Sequence, residues 1–123
     1  MIKILAIGLG GFAGALLRYW ISGLAYAVTE SSFPIGTLTV NILGSFILGF
    51  LLGTTDHYVF HPNVKLFLTV GLLGAFTTFS TFSFETLALI EVSSYYKAFL
   101  NVSLSIALGL AGAFLGLIIG RAL

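Results

Sequence analysis

From residue 98 to residue 120 the chain carries no charged side chain. A helix needs ~20 mostly apolar residues to cross the hydrocarbon of a bilayer, and this run exceeds that length. Residues 2–28, 35–53 and 64–92 are likewise mostly apolar, with few charges, and are separated by short polar connections such as TESSFP and TTDHYVFHPN. Only 7% of the 123 residues are charged, against about 25% in soluble domains, so the natural solvent of this chain is lipid. Lipid admits only helices and closed barrels as spanning structures, because every backbone polar group must be satisfied internally. The expected fold is an all-α integral membrane protein. It is a single domain over residues 1–123, with spans at about 2–28, 35–53, 64–92 and 98–119. A cleaved signal would carry one short apolar core followed by a soluble chain. Here apolar segments continue to the last residue, so the first segment is read as a span. The chain has no cysteine, which leaves neither disulfides nor thiolate metal sites.

The third segment is the unusual one. Its length of about 29 residues gives ~43 Å as one straight helix, more than the ~30 Å hydrocarbon thickness. It also contains GAFTTFSTFSFE (74–85), with five hydroxyls and a carboxylate between strongly apolar flanks. A break near residues 74–78 resolves both facts, with two half-helices and hydroxyls to satisfy the freed backbone groups. Non-helical backbone at that depth is tolerated only when buried in protein or lining a cavity, so the break implies a site, and its exposed carbonyls could hold a cation.

Few polar side chains lie within the spans. Asn41 sits on a stripe with Thr37, Ser45 and Gly49, and reads equally as an interhelical hydrogen bond or as a donor lining a polar path. Arg18 stands beside Tyr19 and Trp20, so it either snorkels to the headgroups or supplies a fixed positive charge at an anion entrance. Glu85 is the only acid well inside a span. It is read as structural, whether protonated, paired with Arg18 or bonded to nearby hydroxyls. Phe79 and Phe82 share a helical face. They are lipid-facing or core rings, or they present electropositive ring edges to an anion. His57 and His61 flank a polar connection beside Asp56 and are read as interfacial histidines rather than metal ligands. Neither a catalytic triad nor a phosphate loop nor a basic patch is present, so an enzyme or a nucleic-acid binder is not expected.

Glycines recur at helical spacing (Gly10 and Gly14; Gly49 and Gly53; Gly109, Gly112, Gly116 and Gly120), as in close helix packing within membranes. Four helices enclose little interior, which suggests a dimer. With four spans both termini share one side, together with Lys3, Lys65 and Arg121, against Lys97 and Arg18 opposite. So small a bias in basic residues permits insertion in both orientations.

Three stretches, GGFAGALLRY (10–19), GTLTVNILGSFILG (36–49) and GAFTTFSTFSFE (74–85), closely resemble, in order and spacing, signatures of the Fluc/CrcB family of fluoride channels. The resemblance covers essentially the whole chain. It implies an antiparallel, dual-topology homodimer in the cell membrane (the bacterial inner or plasma membrane), with two pores that passively export fluoride. It further implies that Phe79, Phe82 and Asn41 meet the ion and that Arg18 stands near the vestibule. Ser80, Thr81 and Ser105 would be polar residues along the track. The carbonyls of Gly74 and Thr77, from two subunits, would hold a structural sodium ion. Glu85 matches a family acid and, with Thr37, is taken as structural; Ala75 replaces a frequent glycine. Small multidrug-resistance exporters share four spans and dual topology but depend on a carboxylate in the first helix, which is missing here. A structural subunit of a larger membrane complex is a third reading.

Overall fold

The computed structural model describes residues 1–29 and 31–123. Their regular structure is entirely helical: α1 (Ile2–Thr29), α2 (Ile35–Thr54), α3 (Pro62–Leu66), a π-helix (Phe67–Leu73), α4 (Gly74–Phe76), α5 (Phe79–Glu91) and α6 (Tyr95–Ala122). Four stretches are long and apolar enough to cross a membrane: α1, α2, the composite Pro62–Glu91 and α6. The last begins three residues before the expected start at 98, so Tyr95, Tyr96 and Lys97 belong to its first turn rather than to a connecting turn.

Local sequence explains where the helices start and stop. Pro62 occupies the first turn of α3, where its missing N–H costs nothing, and the ring Nδ1 of the preceding His61 accepts from the Asn63 N–H at 3.2 Å. At the far end of α5 the Ser93 N–H donates to the Ile90 carbonyl (2.9 Å) and the Ser94 N–H to the Leu89 carbonyl (2.8 Å). These are the two bonds of a Schellman C-cap. Ser93 takes the left-handed conformation, φ 60°, that this motif needs and that glycine usually supplies.

The third crossing breaks within the expected range 74–78, which the structure narrows, and it carries one feature that was not expected. Gly74 is helical (φ −62°, ψ −35°), so the break does not start there. It is confined to Thr77 (φ −89°, ψ 157°) and Thr78 (φ −150°, ψ 120°), which are extended. Immediately upstream, the seven residues Phe67–Leu73 widen into a π-helix. The apolar pattern is compatible with α and π winding alike, so periodicity could not announce it.

Backbone-to-backbone contacts set the topology. A Cβ on Gly10 or Gly14 of α1 would collide with the carbonyls of Phe67 and Leu72, and one on Gly71 would meet the Ile7 carbonyl at 2.6 Å. The step from Gly10 at Phe67 to Gly14 at Leu72 ascends along both segments, so α1 runs parallel to the first half of the third crossing. Likewise Gly49 and Gly53 abut the Ala113 and Leu117 carbonyls, while Gly116 and Gly120 abut those of Phe46 and Phe50, so α2 and α6 run parallel at the closest approach. Gly36 against Tyr26 and the Ser22 carbonyl pins the top of the antiparallel α1–α2 pair. At the opposite end Arg121 Nε meets Asp56 Oδ2 at 3.0 Å and His57 Nε2 lies 2.6 Å from the Arg121 carbonyl. The second connection and the C-terminal end therefore share one side.

The apolar core is small: Val40, Leu73 and Phe76 are buried, with Leu17, Ile21, Leu48, Leu51 and Leu72 around them. Large residues such as Phe12, Trp20, Phe99 and Phe114 lie exposed on the outside, where lipid or another membrane-embedded surface is the proper solvent.

Candidate functional site

The site is built on the two extended residues of the third crossing. In a continuous helix the Gly74 carbonyl would accept from the Thr78 N–H and the Thr77 carbonyl from the Thr81 N–H. Both donors are diverted. The Thr78 N–H goes to Asn41 Oδ1 on α2 at 2.8 Å, and the Thr81 N–H goes to the Thr78 hydroxyl at 3.3 Å. Asn41 Nδ2 also donates to the Thr78 carbonyl at 3.1 Å. The Asn41 amide thus pairs with both backbone groups of Thr78 as a neighbouring strand would, in a region where no strand is available. Two of the four hydrogen bonds that an asparagine amide can make are spent on the break, and one Nδ2–H remains.

Gly74 and Thr77 face an open cleft of about 300 Å³ between the inner faces of α2 and the third crossing, together with Asn41, Ser45, Thr69 and Phe79. The carbonyls of these two residues have lost the i+4 N–H donors that a continuous helix would give them. Phe79 is 80% exposed, and its ring lies 5.7 Å from that of Phe82, tilted by 44°. The two rings therefore stand as a pair next to the break, Phe79 exposed and Phe82 half-buried, and neither belongs to the buried apolar core.

Arg18 lines a second cavity, of about 220 Å³, with Ser22, Thr37, Thr78 and Thr81. Arg18 thus shares a cavity with four hydroxyl-bearing residues and with Tyr19, which is largely exposed, as is the neighbouring Trp20. The pairing of Arg18 with Glu85 weighed from sequence is not formed: the one salt bridge among the described residues joins Arg121 and Asp56. Glu85 Oε1 instead accepts from Thr37 Oγ1 (2.9 Å) and Tyr26 Oη (3.0 Å), while Oε2 is buried without a partner. This tie joins α1, α2 and α5, in keeping with a structural carboxyl. Thr37 is itself buried at the top of α2.

The remaining candidates are dispersed. Ser80 is exposed and its hydroxyl lies 3.4 Å from that of Thr78; Thr81 bonds Thr78 at 3.1 Å. Ser105, on α6, has a buried hydroxyl with no partner. Sequence reasoning missed three polar residues that organise the region: Tyr26, Thr86 and Asn101. Asn101 lies eight residues before Gly109, at helical spacing with the glycines of α6, but nothing in the sequence named its partner. His57 and His61 form no metal cluster with other ligating side chains among the described residues.

Comparison with known proteins places this geometry in a context. The family model described as "CrcB-like protein, Camphor Resistance (CrcB)" matches residues 5–117. A protein of a Nitratiruptor species, described as fluoride-specific ion channel FluC, is 46% identical over 120 residues, covering 98% of this chain and 93% of the relative. Proteins with the same description from Shewanella frigidimarina and a Geobacter species are 48% and 41% identical, over 94% and 100% of both chains. These descriptions are of channels, not enzymes.

Proposed function

The chain belongs to the CrcB family, and from that premise we propose that it is a fluoride-selective channel through which fluoride leaves the cytoplasm passively. The observation that carries the proposal is the near-full-length similarity to proteins described as fluoride-specific channels.

Fluoride is compact and strongly hydrated, so a pore must replace its water with donors while binding weakly enough to release it. The free Nδ2–H of Asn41, the positive ring edges of Phe79 and Phe82, and the hydroxyls of Ser80, Thr81 and Ser105 are assigned that task. Arg18 raises the local anion concentration in its cavity without forming a deep trap. The exposed Phe79 and the open cleft favour a second copy as the missing wall, and an antiparallel homodimer with two pores supplies it. The Gly74 and Thr77 carbonyls, which have lost their helical donors, fit the structural sodium ion that this family implies; such an ion would hold the two breaks together. Thr37 and Glu85 keep their structural role. The protein is assigned to the bacterial inner (plasma) membrane, as a multi-pass channel.

Purified protein in liposomes, in sodium-containing buffer, will empty a fluoride gradient passively and retain chloride; vesicles that keep their fluoride would overturn the reading. Phe82→Ile will slow efflux roughly tenfold or more, since each ring edge replaces part of the ion's lost hydration, while the protein elutes with an unchanged oligomeric size. Efflux at the original rate would remove the aromatic edge from the mechanism.

A further inference from the structure

α5 carries both phenylalanines, yet it is weakly embedded: Leu89 is its one buried residue. Apolar packing therefore does little to fix where Phe79 and Phe82 stand. Polar ties do so instead, at three levels. Asn41 grips Thr78 at the start of the half-helix. Tyr26 and Thr37 grip Glu85 midway. Asn101 of α6 donates to Thr86 Oγ1 at 2.8 Å, one position further along.

The third tie reaches Phe82 directly. Thr86 Oγ1 donates its proton to the Phe82 carbonyl at 2.8 Å and uses a lone pair to accept from Asn101 Nδ2. Hydroxyls bonded back to their own helix recur in this chain, as in Ser45 to Asn41 and Thr69 to Lys65. Among the described residues, Thr86 is the one back-bonded hydroxyl that also accepts from a different helix. Asn101 is 2% exposed, so its amide is held in place, and in lipid the relay has no water to replace it. The geometry points to Asn101 as a positioning residue: through Thr86 it pins the turn that bears Phe82 against α6 and so fixes the ring edge that fluoride meets. This inference rests on the channel reading given above.

The test is fluoride efflux from liposomes holding few protein copies each, which separates the fraction of vesicles that empty from the rate at which they do so. The fraction counts folded channels; the rate reports permeation. Thr86→Val and Asn101→Leu are each expected to slow the rate about tenfold, the effect of a mid-range coupling between neighbouring groups, with the emptying fraction unchanged. Thr86→Ser, which keeps the hydroxyl, will retain the wild-type rate. The double variant will be no slower than the slower single one, because both remove the same relay. A wild-type rate in Thr86→Val overturns the inference, as does equal slowing in Thr86→Ser and Thr86→Val. Multiplying losses in the double variant, or a reduced fraction at unchanged rate, also overturn it. If Asn101→Leu does not fold, the two Thr86 variants decide alone. Wild-type vesicles that release no fluoride would overturn the channel reading and this inference together, whereas wild-type efflux with indifferent variants overturns only the inference.

Discussion

Vesicles carrying Asn41→Leu will keep their fluoride. Leucine is close to asparagine in size but removes the 2.8 Å and 3.1 Å bonds that satisfy the Thr78 N–H and carbonyl. Both groups would then lie unpaired within the third crossing, at a cost of about 1–3 kcal/mol each, and more where lipid rather than water is the alternative. The extended pair Thr77–Thr78 has no other partner on α2, so the chain will rewind or shift the break. Either response moves Phe79 and closes the cleft that Gly74 and Thr77 line. The expected result is loss of efflux together with a lower unfolding midpoint. Full efflux from Asn41→Leu would show that the break holds itself open and that the amide is dispensable. Asn41→Asp separates the contributions further: it keeps an acceptor for the Thr78 N–H but removes the donor to the Thr78 carbonyl, and should fall between the two.

Gly116→Val will yield no folded protein, whereas Gly109→Ala will be recovered at wild-type yield. At Gly116 a Cβ would collide with the Phe46 carbonyl oxygen and lie 2.8 Å from the Phe50 nitrogen. Those are backbone atoms of a helix and cannot swing aside, so α2 and α6 would have to separate along their whole contact. Association of helices in a membrane depends on close van der Waals approach rather than on a hydrophobic drive. Separation thus forfeits most of what holds this pair, and the loss exceeds the ~1–3 kcal/mol typical of overpacking in a soluble core. At Gly109 the nearest atom to an added Cβ is the Ser45 hydroxyl at 4.0 Å, an ordinary contact. Alanine there gains up to about 1 kcal/mol of helix propensity. Purification yield and thermal unfolding of the two proteins, measured side by side, check the contrast; equal yields would mean that the close approach is not what binds α2 to α6.

These two expectations differ in how far each could be reached from the sequence. The glycine stripes were legible, because in an apolar chain a residue without a side chain at helical spacing has close packing as its commonest use. Which glycines matter was not legible. Gly109 and Gly116 belong to the same stripe, yet only the second meets a backbone, since the crossing point is a property of two helices at once. The break in the third crossing was legible from length and from its hydroxyls, and the expected range 74–78 contains it. Within that range only the structure singles out Thr77 and Thr78 and leaves Gly74 helical, because Asn41 offers Thr78 an alternative to the helical bond. The π-helix before it left no sign, as one added residue per turn does not alter an apolar pattern. For Asn41 the structure shows the interhelical hydrogen bond, with one amide hydrogen left over once the break is satisfied.

Composition and run length alone determined that this chain is helical, spans a membrane four times and interrupts its third crossing, because lipid tolerates few ways of satisfying a backbone. Its motifs fixed the family, since their order and spacing are properties of the linear chain. The tertiary structure alone decided which polar group meets which: Asn41 with Thr78, Glu85 with Tyr26 and Thr37, Asn101 with Thr86. Hydrogen-bond partners tens of residues apart are chosen by the distance between helices, and that distance is set by backbone contacts at glycines whose facing atoms no single helix specifies.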